Sequence, residues 1–367
     1  MRHVSLSLKS LSVLALVAVF LLLGACGSAG KGTGTTNGEA AGSGNGTAAN
    51  TPDAGNAADG ENAADAANPP EGDVPDTLNY GYIGLNDLNL PTGAEGWGFH
   101  TGLIQEELKK YGITKVNLIG FPNGPDQTES LISGRLDFGS LGDTPAILAR
   151  SNGAKTRLIT QAATDSIGYL IGKKNGPKTV QDLAGKTIAI QKGSFMHRYV
   201  VGLLEQAGVK NYKLVHMLRP DGEAALARGE VDAMTNNGVY ALKQIEQGYA
   251  HIDDASTHPD LVGTSATVVS EAYLKKFPDF PKVWNEIRLK ALEDLKKHED
   301  EYYKLAAEIQ KTTPELFKQV SPVANIKDTP FTDDGVKLLD GTKNFLVQQK
   351  LATKDFDVNE WILRDGQ

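Results

Sequence analysis

Three short turns hold the residues best suited to chemistry in this chain. They are Pro122-Asn123-Gly124-Pro125-Asp126-Gln127, Gly142-Asp143-Thr144-Pro145 and Lys192-Gly193-Ser194-Phe195. Each joins the end of a strand pattern to the start of a helix pattern through small residues. At such a turn unpaired backbone N–H groups and the positive end of the helix dipole face outward, which makes a receptor for anions. The same residues can act as ordinary caps, Asp143 or Thr144 for one helix and Ser194 for another, and capping is compatible with binding. Nucleophilic catalysis lacks support, because Ser194 has no evident base and orienting acid.

Other chemistries fit less well. His251 and His258 flank Asp253 and Asp254, with Asp260 following, so a metal site is conceivable. The polar, proline-containing stretch reads more simply as a solvated loop, and no metal is expected. Gly96-Trp97-Gly98-Phe99-His100-Thr101-Gly102 has the wrong spacing for a dinucleotide turn, and no acid ends the strand at Leu118-Ile119. No cofactor is expected. Lysine and arginine total 37 against 45 aspartate and glutamate, a net charge of -8, so no basic excess exists to neutralise nucleic-acid phosphates. The run Lys296 to Glu301 reads as a solvated helix face.

The elements that position these turns alternate. Leu78–Ile83 alternates like a strand, and 98–110 carries apolar residues at helical spacing. Strand patterns follow at 115–120, 136–139 and 157–162, separated by helices at 126–133 and 145–150. A second set begins after Lys173-Lys174-Asn175-Gly176-Pro177. It places strands at 186–190, 213–217 and 231–234, and helices at 194–207, 221–228 and 240–246. The last strand is 266–270. Beyond it the patterns are helical: 281–298, 299–311, 314–320, 333–349 and 358–363. Strand–helix alternation predicts parallel sheets with helices on both faces. The chain length of 367 residues suits two such lobes with a helical tail.

The first 75 residues differ. Arg2, His3 and Lys9 precede an apolar run from Val13 to Leu23, shorter than the ~20 residues that cross a bilayer. This reads as a secretory signal over 1–25. Leu23-Gly24-Ala25-Cys26 resembles the bacterial lipobox, which makes the chain's one cysteine, Cys26, an acylated anchor. A single thiol also excludes a disulfide framework within the chain. Between Gly27 and Gly72 there is no Val, Ile, Leu, Met, Phe, Trp or Tyr. Such a segment cannot offset its ordering entropy, so 26–75 is expected to be the lipidated cysteine and a disordered tether.

From Gly124 to Pro145 the chain reads GPDQTESLISGRLDFGSLGDTP, and from Asp182 to Ser194 DLAGKTIAIQKGS. These segments, with Gly229-Glu230-Val231-Asp232-Ala233, resemble the nitrate, sulfonate and taurine binding proteins of ABC importers, including the related binders of thiamine pyrimidine precursors. The resemblance runs from about Leu78 to about Ser321. It implies a type II periplasmic-binding-protein fold of two α/β lobes joined by two crossover strands, with the C-terminal helices packed on the first lobe. Lobe I would be 76–165 plus 266–367, and lobe II 166–265. Carried over residue by residue, it implies a ligand cleft at Asn123, Gly124 and Gln127, at Gly142, Asp143 and Thr144, and at Asp165 and Ser166 on the first crossover. In the second lobe it implies Gly193, Ser194, Phe195 and Arg198, then Thr235, Asn236 and Asn237. Arg198 is either the charged contact or an ordinary helix arginine. Trp97, delivered by the long loop 85–96, either stacks on an organic moiety or is buried at a helix start.

The resemblance further implies a monomeric, extracytoplasmic lipoprotein, on the outer face of the cell membrane or in a periplasm, that hands a small ligand to a membrane permease and its ATPase. Where many sulfonate binders carry aromatic residues, this chain has Met234-Thr235-Asn236-Asn237. Asparagine both donates and accepts, so a neutral heterocycle suits these residues as well as an oxyanion. A sensory receptor and, least of all, a pyrimidine-synthase-like enzyme are the remaining alternatives.

Overall fold

The computed structural model describes residues 73–364. The signal sequence, Cys26 and the segment to Gly72 lie outside them. The chain begins with β1 (Thr77–Ile83), α1 (Gly93–Thr101), α2 (Leu103–Lys109), β2 (Lys115–Phe121), α3 (Gly124–Ile132), β3 (Phe138–Gly142), α4 (Asp143–Ser151) and β4 (Thr156–Thr160). It crosses to β5 (Gly168–Gly172), β6 (Thr187–Ile190), α5 (Phe195–Gln206), β7 (Lys213–His216), α6 (Arg219–Arg228), β8 (Ala233–Asn237), α7 (Gly238–Glu246) and β9 (Ala250–Asp254). Returning, it forms β10 (Ser265–Ser270), α8 (Glu271–Leu274), α9 (Phe280–Lys297), α10 (Glu299–Ile309), α11 (Pro314–Val320), α12 (Asp333–Gln348) and α13 (Val358–Trp361).

Two five-stranded sheets result, ordered β2-β1-β3-β10-β4 and β7-β6-β8-β5-β9. Both are mixed, which corrects the expectation of parallel sheets. β1, β2 and β3 are parallel, but β10 runs antiparallel to β3 and β4. Likewise β5 is antiparallel to β8 and β9 beside the parallel β6–β7 and β6–β8 pairs. The cause is the double crossover: a strand that enters a sheet from the other lobe arrives from the opposite end. Where the chain crosses, Ser166 and Gly263 exchange backbone hydrogen bonds of 2.9 and 2.8 Å.

Two strands carried no clear pattern. β5 is bounded by glycines, and β9 reads Ala-His-Ile-Asp-Asp, polar as suits an edge strand. The stretch expected as a solvated loop around His251 is therefore partly sheet. The helix expected at 98–110 starts earlier and breaks at Gly102, whose φ of 82° is open to glycine and strained for other residues.

The first core is aromatic. Phe138 lies with its ring centroid 4.7 Å from Tyr80 and 4.6 Å from Trp284, all three fully buried. Burying each such side chain contributes roughly 1.5–3 kcal/mol. Helix α9 packs on α1 closely enough that a Cβ on Gly98 would meet the Ala291 Cβ at 2.8 Å. Helices α12 and α13 cover α4 and β4. The tail thus packs on the first lobe as expected, while α11 also reaches α7 of the second. Among the described residues no helix is long and apolar enough to cross a membrane.

Candidate functional site

Two of the three turns cap their helices as expected, but neither Asp143 nor Thr144 caps α4, because both lie inside the helix. Asn123 caps α3, its Oδ1 accepting from the Asp126 N–H at 2.9 Å. Ser194 caps α5, accepting from the His197 N–H at 3.2 Å and donating to the Gln191 carbonyl at 2.7 Å. Gly142 precedes α4 as its N-cap, without a side chain to cap with. The turns also pack against one another. A Cβ on Gly124 would meet Pro145 Cγ at 2.3 Å, and one on Gly193 would meet Pro125 Cγ at 3.1 Å. The Gly193–Pro125 contact runs between the two lobes.

Several expected site residues already have partners within the protein. Gln127 lies over β1 and β3, in room left by Gly81 and Gly139, with Nε2 3.3 Å from the Ser140 carbonyl. Asp143, fully buried, accepts from the Thr264 N–H at 2.9 Å and from the Thr144 hydroxyl at 2.9 Å. Arg198 is equally buried. Its guanidinium donates to the carbonyls of Asp260 at 3.1 Å and Val262 at 2.6 Å. Phe195 packs on Gly263 and Gly168 of the crossovers. Asp165 accepts from the Asn325 amide. Trp97 belongs to the interior: its indole N–H donates to Asp294 at 2.7 Å and its ring stacks on His298.

Beside the turns lies a cavity of 330 Å³, where the carboxyl ends of strands from both sheets face one another. Such edges are where open α/β sheets collect ligands. The first lobe contributes Ile83, Gly84, Leu85 and Asn86 after β1, Pro122 after β2, and Ile309 and Gln310 from the end of α10. The second contributes Gln191 after β6, Met217 to Pro220 after β7, and Thr235, Asn236 and Asn237 at the end of β8. Of the expected residues only these last three line it. A second hollow of 490 Å³ shares Asn237, Tyr240 and Gln310 with it and includes Asp165, Ser166 and Phe195. A hollow of 950 Å³ lies between α5 and α12, away from the strand ends.

Arg219 is the cavity's charged group. It opens α6, its guanidinium carbon lies 3.6 Å from the centroid of the Tyr240 ring, and its Nη1 donates to the Glu223 carboxylate at 3.2 and 3.3 Å. Among the described residues its Nε and Nη2 have no protein partner. Asn236 holds this arrangement from behind, its Nδ2 donating to Glu223 at 3.1 Å and to Gln244 at 3.0 Å. The Tyr240 hydroxyl donates to Gln310 at 2.9 Å, joining α7 to α10 across the two lobes. Thr235 is 6% exposed, and its Oγ1 has no hydrogen-bond partner in the protein. A guanidinium with its Nε and Nη2 donors unused and a buried hydroxyl can hold an oxyanion by charge-assisted hydrogen bonds.

Arg219 escaped the sequence reading although a signal was present. Met217-Leu218-Arg219-Pro220 is another strand-to-helix turn, with proline in the first helical turn. Starting that helix at Asp221 left the arginine outside it. Tyr240 and Gln310 carry no local signal, since only the tail's return brings α10 to α7. Among the described residues no group of three or more His, Cys, Asp and Glu side chains is placed to hold a metal ion. His251 and His258 instead pair with Asp254 and Asp253, each at 3.0 Å.

The NMT1/THI5-like family model matches residues 108–301. A putative aliphatic sulfonates-binding protein of Bacillus subtilis is 30% identical over 271 residues, 71% of this chain and 79% of that protein. One of Escherichia coli is 36% identical over 144 residues, so that match spans 38% of this chain and 45% of its relative. The alkanesulfonate-binding protein SsuA of Xanthomonas axonopodis pv. citri, solved bound to MOPS, superposes with a TM-score of 0.66 at 22% identity, over 79% of this chain and 99% of that one. The fold also occurs in the desulfurization enzyme DSZB, with a TM-score of 0.62 at 17% identity over 79% of this chain and 97% of that one. The chain therefore belongs to the NMT1/THI5-like family as a homologue of the aliphatic sulfonate-binding proteins, and carries the type II periplasmic-binding-protein fold.

Proposed function

We propose that this protein is the solute receptor of an ABC importer and captures an organic anion of the sulfonate type between its lobes, 76–165 plus 266–367 and 166–265. Arg219 carries the reading. It places a cation with unused donors where the strand ends of both lobes meet. A neutral heterocycle would offer the unused Nε and Nη2 donors only uncharged acceptors, weaker than the charge-assisted bonds of an anion, so the anion is favoured. Ligand that touches both lobes shifts an open–closed equilibrium toward the closed form. The closed monomer then docks on a permease coupled to an ATPase. Cys26 supplies the lipid anchor on the outer face of the membrane.

The experiment is calorimetric titration of the full chain with organic sulfonates, run beside an assay for their consumption. Saturable binding without turnover, lost in Arg219→Gln, is expected. Turnover would point to an enzyme, and unchanged binding in the variant would remove Arg219 from the site. For the anchor, Cys26→Ser should release the protein from the membrane fraction.

A further inference from the structure

The hollow of 950 Å³ lies on the other side of the first crossover from the cavity. Asp165 and Ile167 line both this rear hollow and the 490 Å³ hollow beside the cavity, so the crossover stands between the two. One wall is α12 of the first lobe, through Asp334, Lys337, Leu338, Gly341, Phe345 and Gln348, which share a helix face. The opposite face of α12 sends Leu339 and Leu346 into the first lobe's interior. The facing wall is α5 of the second lobe, through Gly202, Glu205 and Gln206, with Pro259 to Val262 of the return crossover beside it. The walls touch toward the C-terminal end of α12. There a Cβ on Gly202 would meet Leu261 Cδ2 at 2.5 Å and Phe345 Cζ at 3.5 Å, and Gln349 Nε2 donates to Glu205 at 2.6 Å. At about 30 Å³ per water, the space left between the walls has room for roughly thirty waters.

Gly341 marks the use of that space. A glycine inside a helix costs stability relative to alanine, and close packing commonly explains it. Gly96, Gly98, Gly202 and Gly335 lie in helices where a Cβ would meet another atom at 2.8 Å or closer. A Cβ on Gly341 would meet nothing within 4 Å. Two lobes that turn about a crossover between them move in opposite senses on its two sides. Parting them at the cavity, where Tyr240 meets Gln310 and Gly193 meets Pro125, therefore drives α5 toward α12. The bare backbone at Gly341 leaves room for that approach.

Resting on capture by lobe closure, we propose that the rear hollow sets the balance between the open and closed forms. Its emptiness permits opening, and bulk placed in it holds the lobes closed. Phe345 against Gly202 is the stop already present. Only the closed form grips ligand from both lobes, so apparent affinity follows the population of that form. Gly341 and Phe345 thus tune binding without lining the cavity.

The test reads lobe separation and affinity apart. Nitroxide labels on Leu88→Cys and Asp221→Cys, exposed positions beside the cavity on either lobe, are introduced into the full chain with Cys26→Ser. Pulsed electron resonance then gives the distance between them with no ligand added, and calorimetry on the unlabelled chain gives the affinity for ethanesulfonate. Through Gly341→Ala, Gly341→Leu and Gly341→Trp the short-distance population should grow with side-chain volume. Gly341→Trp should bind ethanesulfonate at least about threefold tighter. Phe345→Ala removes the stop and should move both readouts the other way. Distances unmoved by both Gly341→Trp and Phe345→Ala, or lengthened by Gly341→Trp, would overturn the proposal and leave ligand capture standing. Failure of ethanesulfonate and other organic sulfonates to bind the unchanged protein would overturn the capture reading, while the distances without ligand still decide the role of the rear hollow.

Discussion

Arg198 Nη2 lies 3.7 Å from Asp143 Oδ2, and both side chains are wholly buried. The pair joins α5 of the second lobe to α4 of the first, and both members grip one crossover. Arg198 holds the carbonyls of Asp260 and Val262, and Asp143 holds the Thr264 N–H. Within the protein the two charges meet each other and the connection between lobes, while Arg198 Nε has no partner.

Replacing one partner strands the other. Arg198→Met should destabilise the protein by about 3–5 kcal/mol, the usual cost of leaving a buried charge unpaired. Urea unfolding checks this. At temperatures where the variant is folded, sulfonate affinity should stay close to that of the unchanged protein, because Arg198 does not line the cavity.

Tyr240 both underlies Arg219 and bonds Gln310. Tyr240→Phe keeps the ring and removes one hydrogen bond across the lobes, worth about 0.5–1.5 kcal/mol, so sulfonate affinity should fall roughly two- to tenfold. Tyr240→Leu also removes the cation–π contact and should fall further. Calorimetric titration of the two variants separates the effects.

Trp97 separates a structural from a binding role. Trp97→Phe loses the indole bond to Asp294 and should lower stability by about 1 kcal/mol or more. Its ligand affinity should not change. Thermal unfolding and titration of the same preparation provide both readouts.

His197 gives a pH dependence of defined sign. Burial first, and then the charge of Lys192, hold its pKa below the usual histidine value. The neutral ring accepts from the Gly193 N–H at 3.3 Å. As the pH falls below about 6.5 the unfolded chain takes up a proton that the folded ring resists, so unfolding is favoured. The stability difference is fully present above that pH and is lost on acidification toward the folded pKa. Unfolding free energies at about pH 7.5 and pH 5.5 should therefore converge in His197→Gln relative to the unchanged protein.

The amino-acid sequence by itself determined the element order and the lobed plan, since apolar periodicity and strand–helix turns are local properties. Helices α9 to α12 could be read almost to the residue, and Asn123 and Ser194 are the side chains that cap their helices. It also marked Thr235, Asn236 and Asn237, which line the cavity. Strand direction and the polar or glycine-bounded strands β9 and β5 were decided by the double crossover, which no local window contains. Tertiary structure alone decided which arginine faces a cavity. Arg198 and Arg219 both stand at helix beginnings, but carbonyls more than sixty residues away surround the first. Tyr240 and the returning α10 leave the second facing a cavity. Burial and partnership are set by segments far apart in the chain, so the charge available to a ligand is a property of the fold and not of the motif.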